Sequence, residues 1–150
     1  MSDTLLTVAV AAVVLAAGFG WQGIRTAAIP VSSPERLVAE LRLAQIAALI
    51  LATTTAPYIG FAVDHAQQPG SGIHVALAIG FFLSAATTLV REPRQALTIL
   101  AIAFAAHAVV DVANGQGTFL PDVTPDWYAL GCALFNVYMG GIAYLPILRR

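Results

Sequence analysis

The sequence predicts an all-α integral membrane protein, a five-transmembrane-helix bundle with its amino terminus outside and its carboxyl terminus in the cytoplasm. Three observations predict it. Hydrophobic residues make up 59% of the 150 and charged residues 10%, against about 45–50% and about 25% in soluble domains. Five apolar runs each approach or exceed the roughly 20 residues that cross a bilayer as a helix. Arginines occur in alternate breaks between them, the first and third, and not in the second and fourth. A mean hydropathy of +0.81 agrees. The length suits one domain covering 1–150.

The first run, about 4–21, follows an acidic leader, Met1-Ser2-Asp3, and the first arginine, Arg25, comes after it. A secretory signal has the opposite charge order, so a retained span is expected. The second run, about 36–62, opens with "SSPER". Ser33 reads as an N-cap, with Pro34 in the first helical position and Glu35 complementing the helix dipole. Arg36 and Glu40 are an i, i+4 pair, and Arg42 is long enough to snorkel to an interface. Pro57 removes the donor of the carbonyl four residues back, a reason for a kink. Thr53, Thr54 and Thr55 stand close enough to substitute for the lost bond.

The third run, about 72–90, carries Gly80, Ser84, Thr87 and Thr88 at helical spacing, a stripe expected to pack closely. The fourth, about 95–113, ends in "AHAVVDVANG". His107, Asp111 and Asn114 fall at i, i+4 and i+7 and share one face. The fifth, about 126–147, repeats the helix-start grammar, with Thr124 as cap followed by Pro125 and Asp126. Ala129, Cys132, Asn136 and Gly140 share a face of mostly small residues suited to a close neighbouring helix.

Arginine placement sets the orientation. Arg25 and Arg36 flank the first break, Arg91 and Arg94 the third, and Arg149 and Arg150 end the chain. The second and fourth breaks lack arginine and carry Asp64, Asp122 and Asp126. The positive-inside rule then makes the arginine-bearing side cytoplasmic. Trp21 and Tyr144 would anchor that interface, and Tyr58, Trp127 and Tyr128 the outer one. His107 then lies roughly 9 Å below the outer end of its span, and Asn136 roughly 13 Å, at 1.5 Å per residue.

A carboxylate at a helix centre costs about 2.5–3.5 kcal/mol. Asp111 must therefore face protein or water, and His107 one turn away is its natural partner. An outward-facing polar pocket is expected, with His107, Asp111 and Asn136 as catalytic residues. His107 would shuttle a proton, Asp111 would orient or charge it, and Asn136 or Asn114 would hold a substrate oxygen. Asn114, Trp127, Tyr128, His74 and Asp64 are the expected substrate-binding residues. The duller alternative is an interhelical clip between His107 and Asp111, of the kind that fixes membrane bundles.

The function expected is a membrane-embedded enzyme of the acid–base isomerase, cyclase or epoxide-opening type, or a binder of a lipophilic small molecule. A proton-coupled transporter or relay and an accessory subunit of a larger membrane complex are the alternatives. Cys132 lacks an evident activating neighbour in sequence. No two histidines share i, i+3 or i+4 spacing, so no metal or other cofactor is expected, although His107, His74 or His65 with Asp64 or Asp111 offers a weak ligand set. A net charge of -1 gives nucleic acid no footprint. Lysine is absent, which excludes a Schiff-base cofactor. Expected partners are membrane lipids, a lipophilic small molecule and a second copy or larger complex. Alanine-rich, lysine-free composition suggests a bacterial inner membrane.

Overall fold

A computed structural model describes residues 3–115 and 124–149. Asp122 and Arg150, which enter the charge alternation, lie outside them. Five helices make up the described chain: α1 (Asp3–Ala28), α2 (Pro34–Asp64), α3 (Ser71–Thr88), α4 (Pro93–Gly115) and α5 (Asp126–Leu148). All five are long and apolar enough to cross a membrane. No strand occurs among the described residues.

The helices neighbour one another in the row α1, α5, α4, α3, with α2 laid against that row and touching all four. α4 and α5 make the most extensive contact. The core runs along this seam and contains Leu43, Ala47 and Leu51 from α2, Leu97, Leu100 and Phe104 from α4, and Met139 and Ala143 from α5. Alanine is frequent because close helix approach without a solvent-driven hydrophobic term favours small side chains. At Gly140 an added Cβ would sit 3.2 Å from the Ala101 carbonyl oxygen, so a side chain there would separate α5 from α4. Gly20 of α1 likewise leaves room for the Tyr138 ring, whose hydroxyl donates to the Ala16 carbonyl at 3.1 Å. α1 is otherwise peripheral, with 11% of its apolar window buried.

The arginine-bearing end is tied together by Arg36, which is 2% exposed. Its Nε donates to Glu40 at 2.6 Å, the pair expected from spacing. Its Nη1 reaches the Thr26 carbonyl and, at 2.8 Å, the Ile29 carbonyl, while Nη2 donates to the Pro146 carbonyl at 2.6 Å. One planar fork thereby joins the start of α2 to the ends of α1 and α5, a geometry that lysine lacks. Arg94 Nε stands 3.9 Å from Glu40 and brings in the start of α4. Arg42 is exposed.

Local expectations meet mixed outcomes. Ser33 caps α2, its hydroxyl accepting from the Glu35 amide at 3.3 Å, with Pro34 in the first turn. Thr124 does not cap α5. The helix starts so that Pro125 occupies the cap position, and Thr124 Oγ1 is buried without a hydrogen-bond partner among the described residues. α2 continues through Pro57, but the neighbouring threonines bond elsewhere: Thr53 to the Leu49 carbonyl at 2.8 Å, Thr54 to Leu51 at 3.0 Å and Thr55 to Ala52 at 2.8 Å. Each hydroxyl folds back onto its own preceding turn, the geometry β-carbon hydroxyls favour in helices. On α3 the expected small-residue stripe packs only at Thr88: Gly80 is open and Thr87 exposed, and the buried residues are His74, Ala78, Ala85 and Thr88.

Candidate functional site

The site is built around Asp111, which has no exposed surface. It lies near the carboxyl end of α4 and faces α2 and α5. Tyr58 of α2 donates its hydroxyl to Asp111 Oδ1. Asn136 of α5 donates Nδ2 to Asp111 Oδ2 at 2.8 Å and also meets Cys132 Sγ at 3.3 Å. These donors fix the amide orientation of Asn136, because its oxygen could not serve an acceptor carboxylate. The Asn136 oxygen is left buried without a hydrogen-bond partner among the described residues.

His107 is 1% exposed and its Nε2 stands 3.6 Å from Asp111 Oδ1. It neighbours the carboxylate rather than bonding it, since the two oxygens are already served from α2 and α5. Its ring stacks on Phe81 of α3, with centroids 4.6 Å apart, and lies 5.5 Å from the Tyr58 ring. His107 Nδ1 is buried without a partner among the described residues. His74 of α3, fully buried, stacks parallel to Tyr58 with centroids 6.1 Å apart. Asn114 is 1% exposed, and its amide comes near the Tyr58 hydroxyl without completing a hydrogen bond.

Helical periodicity therefore brings His107, Asp111 and Asn114 to one buried face, and the fold adds Asn136 and His74 from other helices. The rim residues separate into two groups. Tyr128 is half-buried and packs edge-on against Tyr58 and Phe61, and its hydroxyl reaches the Thr54 carbonyl at 3.5 Å. Trp127 is 50% exposed and packs edge-on against Tyr128. Asp64 stays outside, its carboxylate exposed and 3.8 Å from His65 Nδ1.

Two members were not assigned to the site from sequence. Tyr58 reads as an interfacial anchor but is 3% exposed at the centre of the site. The signal available was its position on α2, 3.6-fold spacing from Leu51 and Thr55 placing it on the buried stripe. Cys132 reads as isolated, yet ligand atoms of His107, Asp111 and Cys132 all lie within 4.8 Å of one another. The signal available was its place one turn before Asn136 on the face shared by Ala129, Cys132, Asn136 and Gly140.

A groove of about 360 Å³ opens beside the site between α4 and α5, lined by Ala105, Ala108, Val109, Val112, Asn136, Val137 and Gly140. It is apolar except for the asparagine at its base. Set against known proteins, the chain matches no family model, no curated protein and no solved structure. The reading of the site rests on its own chemistry.

Proposed function

We propose that this chain is a multi-pass membrane protein that takes a lipophilic small molecule into the α4–α5 groove, with the polar end of that molecule at Asn136. The carrying observation is that one residue belongs to both places: Asn136 is among the residues lining the groove, and its buried side chain is bonded to Asp111. Its nitrogen is committed to Asp111 and Cys132, so its oxygen is what remains for a ligand. An acceptor of that kind asks for a hydrogen-bond donor, which makes a hydroxyl-bearing lipid the ligand class of choice. An apolar channel with a few convergent polar groups is the usual form of such a site. The catalytic roles of His107, Asp111 and Asn136 belong to this reading: an imidazole and a carboxyl group beside a hydroxyl held by an amide are the groups that acid–base turnover needs. The arginine-bearing end would face the cytoplasm and the Asp111 end the outer leaflet.

A long-chain alcohol carrying a photoreactive diazirine tests the proposal. Irradiated with the protein in lipid nanodiscs, it should label Val109, Val112 and Val137 above other lipid-facing residues. Asn136→Leu should weaken saturation of that labelling roughly five- to tenfold, the loss of one buried hydrogen bond. Val137→Trp, at an outward position 62% exposed, should fill the groove and abolish it. Labelling spread evenly over all five helices, and unchanged by both substitutions, would refute the reading.

A further inference from the structure

We infer that His107, Asp111 and Cys132 form a three-ligand centre for a divalent transition ion of zinc-like preference. The inference uses residues of the site just described but does not require the groove to hold a lipid. Four observations carry it. The first is spacing: one nitrogen, one oxygen and one sulfur converge within 4.8 Å, and all three residues are buried. Ligands about 2.0–2.3 Å from a shared tetrahedral ion stand roughly 3.3–3.8 Å from one another; the His107 Nε2–Asp111 Oδ1 separation of 3.6 Å already matches, and the Cys132 sulfur, within 4.8 Å of both, would close in by up to about 1 Å on binding.

The second is hydrogen-bond polarity. Tyr58 and Asn136 donate toward these ligand atoms, and the Cys132 thiol itself meets the Asp111 carboxylate. Tyr58 donates to one Asp111 oxygen, and the Asn136 amide nitrogen donates to the other and to the Cys132 sulfur. Ligating carboxylates and thiolates are supported by such outer donors.

Charge is the third. Lysine is absent from the chain. The described arginines 25, 36, 42, 91, 94 and 149 all lie at or toward the opposite end of the bundle. No arginine can therefore offset a carboxylate in this apolar setting. A divalent ion with one carboxylate and one thiolate is neutral overall, and its binding releases only the thiol proton, with no change of oxidation state. The fourth is donor type. A thiolate and an imidazole disfavour magnesium and calcium, which take oxygen ligands. Three protein ligands leave a fourth position open, the pattern of a centre that also meets water or a substrate.

Cobalt(II) is the probe. The full chain, purified in detergent without chelators, should take up one equivalent of cobalt(II) and develop the near-ultraviolet thiolate-to-cobalt absorption. Cys132→Ser should remove that band while leaving the protein monodisperse, and His107→Ala should abolish stoichiometric uptake. Tyr58→Phe and Asn136→Leu, which touch ligands but are not ligands, should weaken binding about 10–100-fold. His65→Ala, at the exposed end of α2, should bind as the wild type does. Uptake well below one equivalent in correctly folded protein, or cobalt binding without the thiolate band, overturns the inference. Val137→Trp separates the two readings. It blocks the groove and spares the ligands, so it should lose lipid labelling and keep cobalt; a protein that labels with lipid but binds no cobalt leaves the lipid reading standing and removes this one.

Discussion

Tyr58 and Asn136 act on the same carboxylate from opposite helices, and each presents it with a donor. Hydrogen bonds to a charged group contribute about 1.5–3 kcal/mol. Tyr58→Phe keeps the ring that stacks with His74 and removes the hydroxyl alone. It should lower stability by about that amount, measured as the shift in denaturation by sodium dodecyl sulfate. Residue-level caps give a sharper contrast. Ser33→Ala removes an engaged cap and should cost about 0.5–2 kcal/mol. Thr124→Ala removes a hydroxyl with no hydrogen bond among the described residues and should not destabilise in the same assay. A loss at Thr124 as large as at Ser33 would contradict the cap assignment at Pro125.

At the scale of elements, the Arg36 fork is the main connection between helix ends. Removing one partner of a buried pair leaves the other charge uncompensated, at about 3–5 kcal/mol. Arg36→Ala should therefore destabilise by that order, and Arg36→Lys should recover only part of it, because an ammonium cannot serve Glu40 and three carbonyls at the ends of α1 and α5 together. Thermal unfolding of the three proteins in one detergent measures the order. A lysine variant equal to wild type would show that charge alone matters there. Gly140 sets the spacing of α4 and α5 in the same way. Its replacement by leucine should cost about 1–3 kcal/mol through overpacking and should disturb the site, since Asn136 lies one turn earlier on the same face.

For the whole molecule, orientation is the property that decides which compartment the site adjoins. In a Cys132→Ser background, Gln68→Cys in the break between α2 and α3 should react with an impermeant maleimide added to intact cells. Ser32→Cys, between α1 and α2, should react only after permeabilisation. The reverse pattern would place the arginine-bearing end outside and move the site toward the cytoplasmic leaflet.

The five long apolar helices, the Ser33 cap, the Arg36–Glu40 pair and the shared face of His107, Asp111 and Asn114 were all legible in the chain. Each depends on hydropathy or on a spacing of a few residues along one helix, and helical geometry alone converts such spacing into position. Thr124 misled because its motif allowed two starts one residue apart. Asp64 misled because being near the right end of the bundle does not fix the direction of a side chain.

What the sequence could not contain was the rotation of each helix about its own axis. That rotation turned Tyr58 inward from an expected interface, brought Cys132 to His107 and Asp111, and left the imidazole beside a carboxylate already bonded from α2 and α5. It is decided by how alanines, glycines and large side chains interdigitate between helices far apart in the chain, such as Gly140 against Ala101. Composition and period determined the helices and their polar faces; only packing determined which of those faces meet.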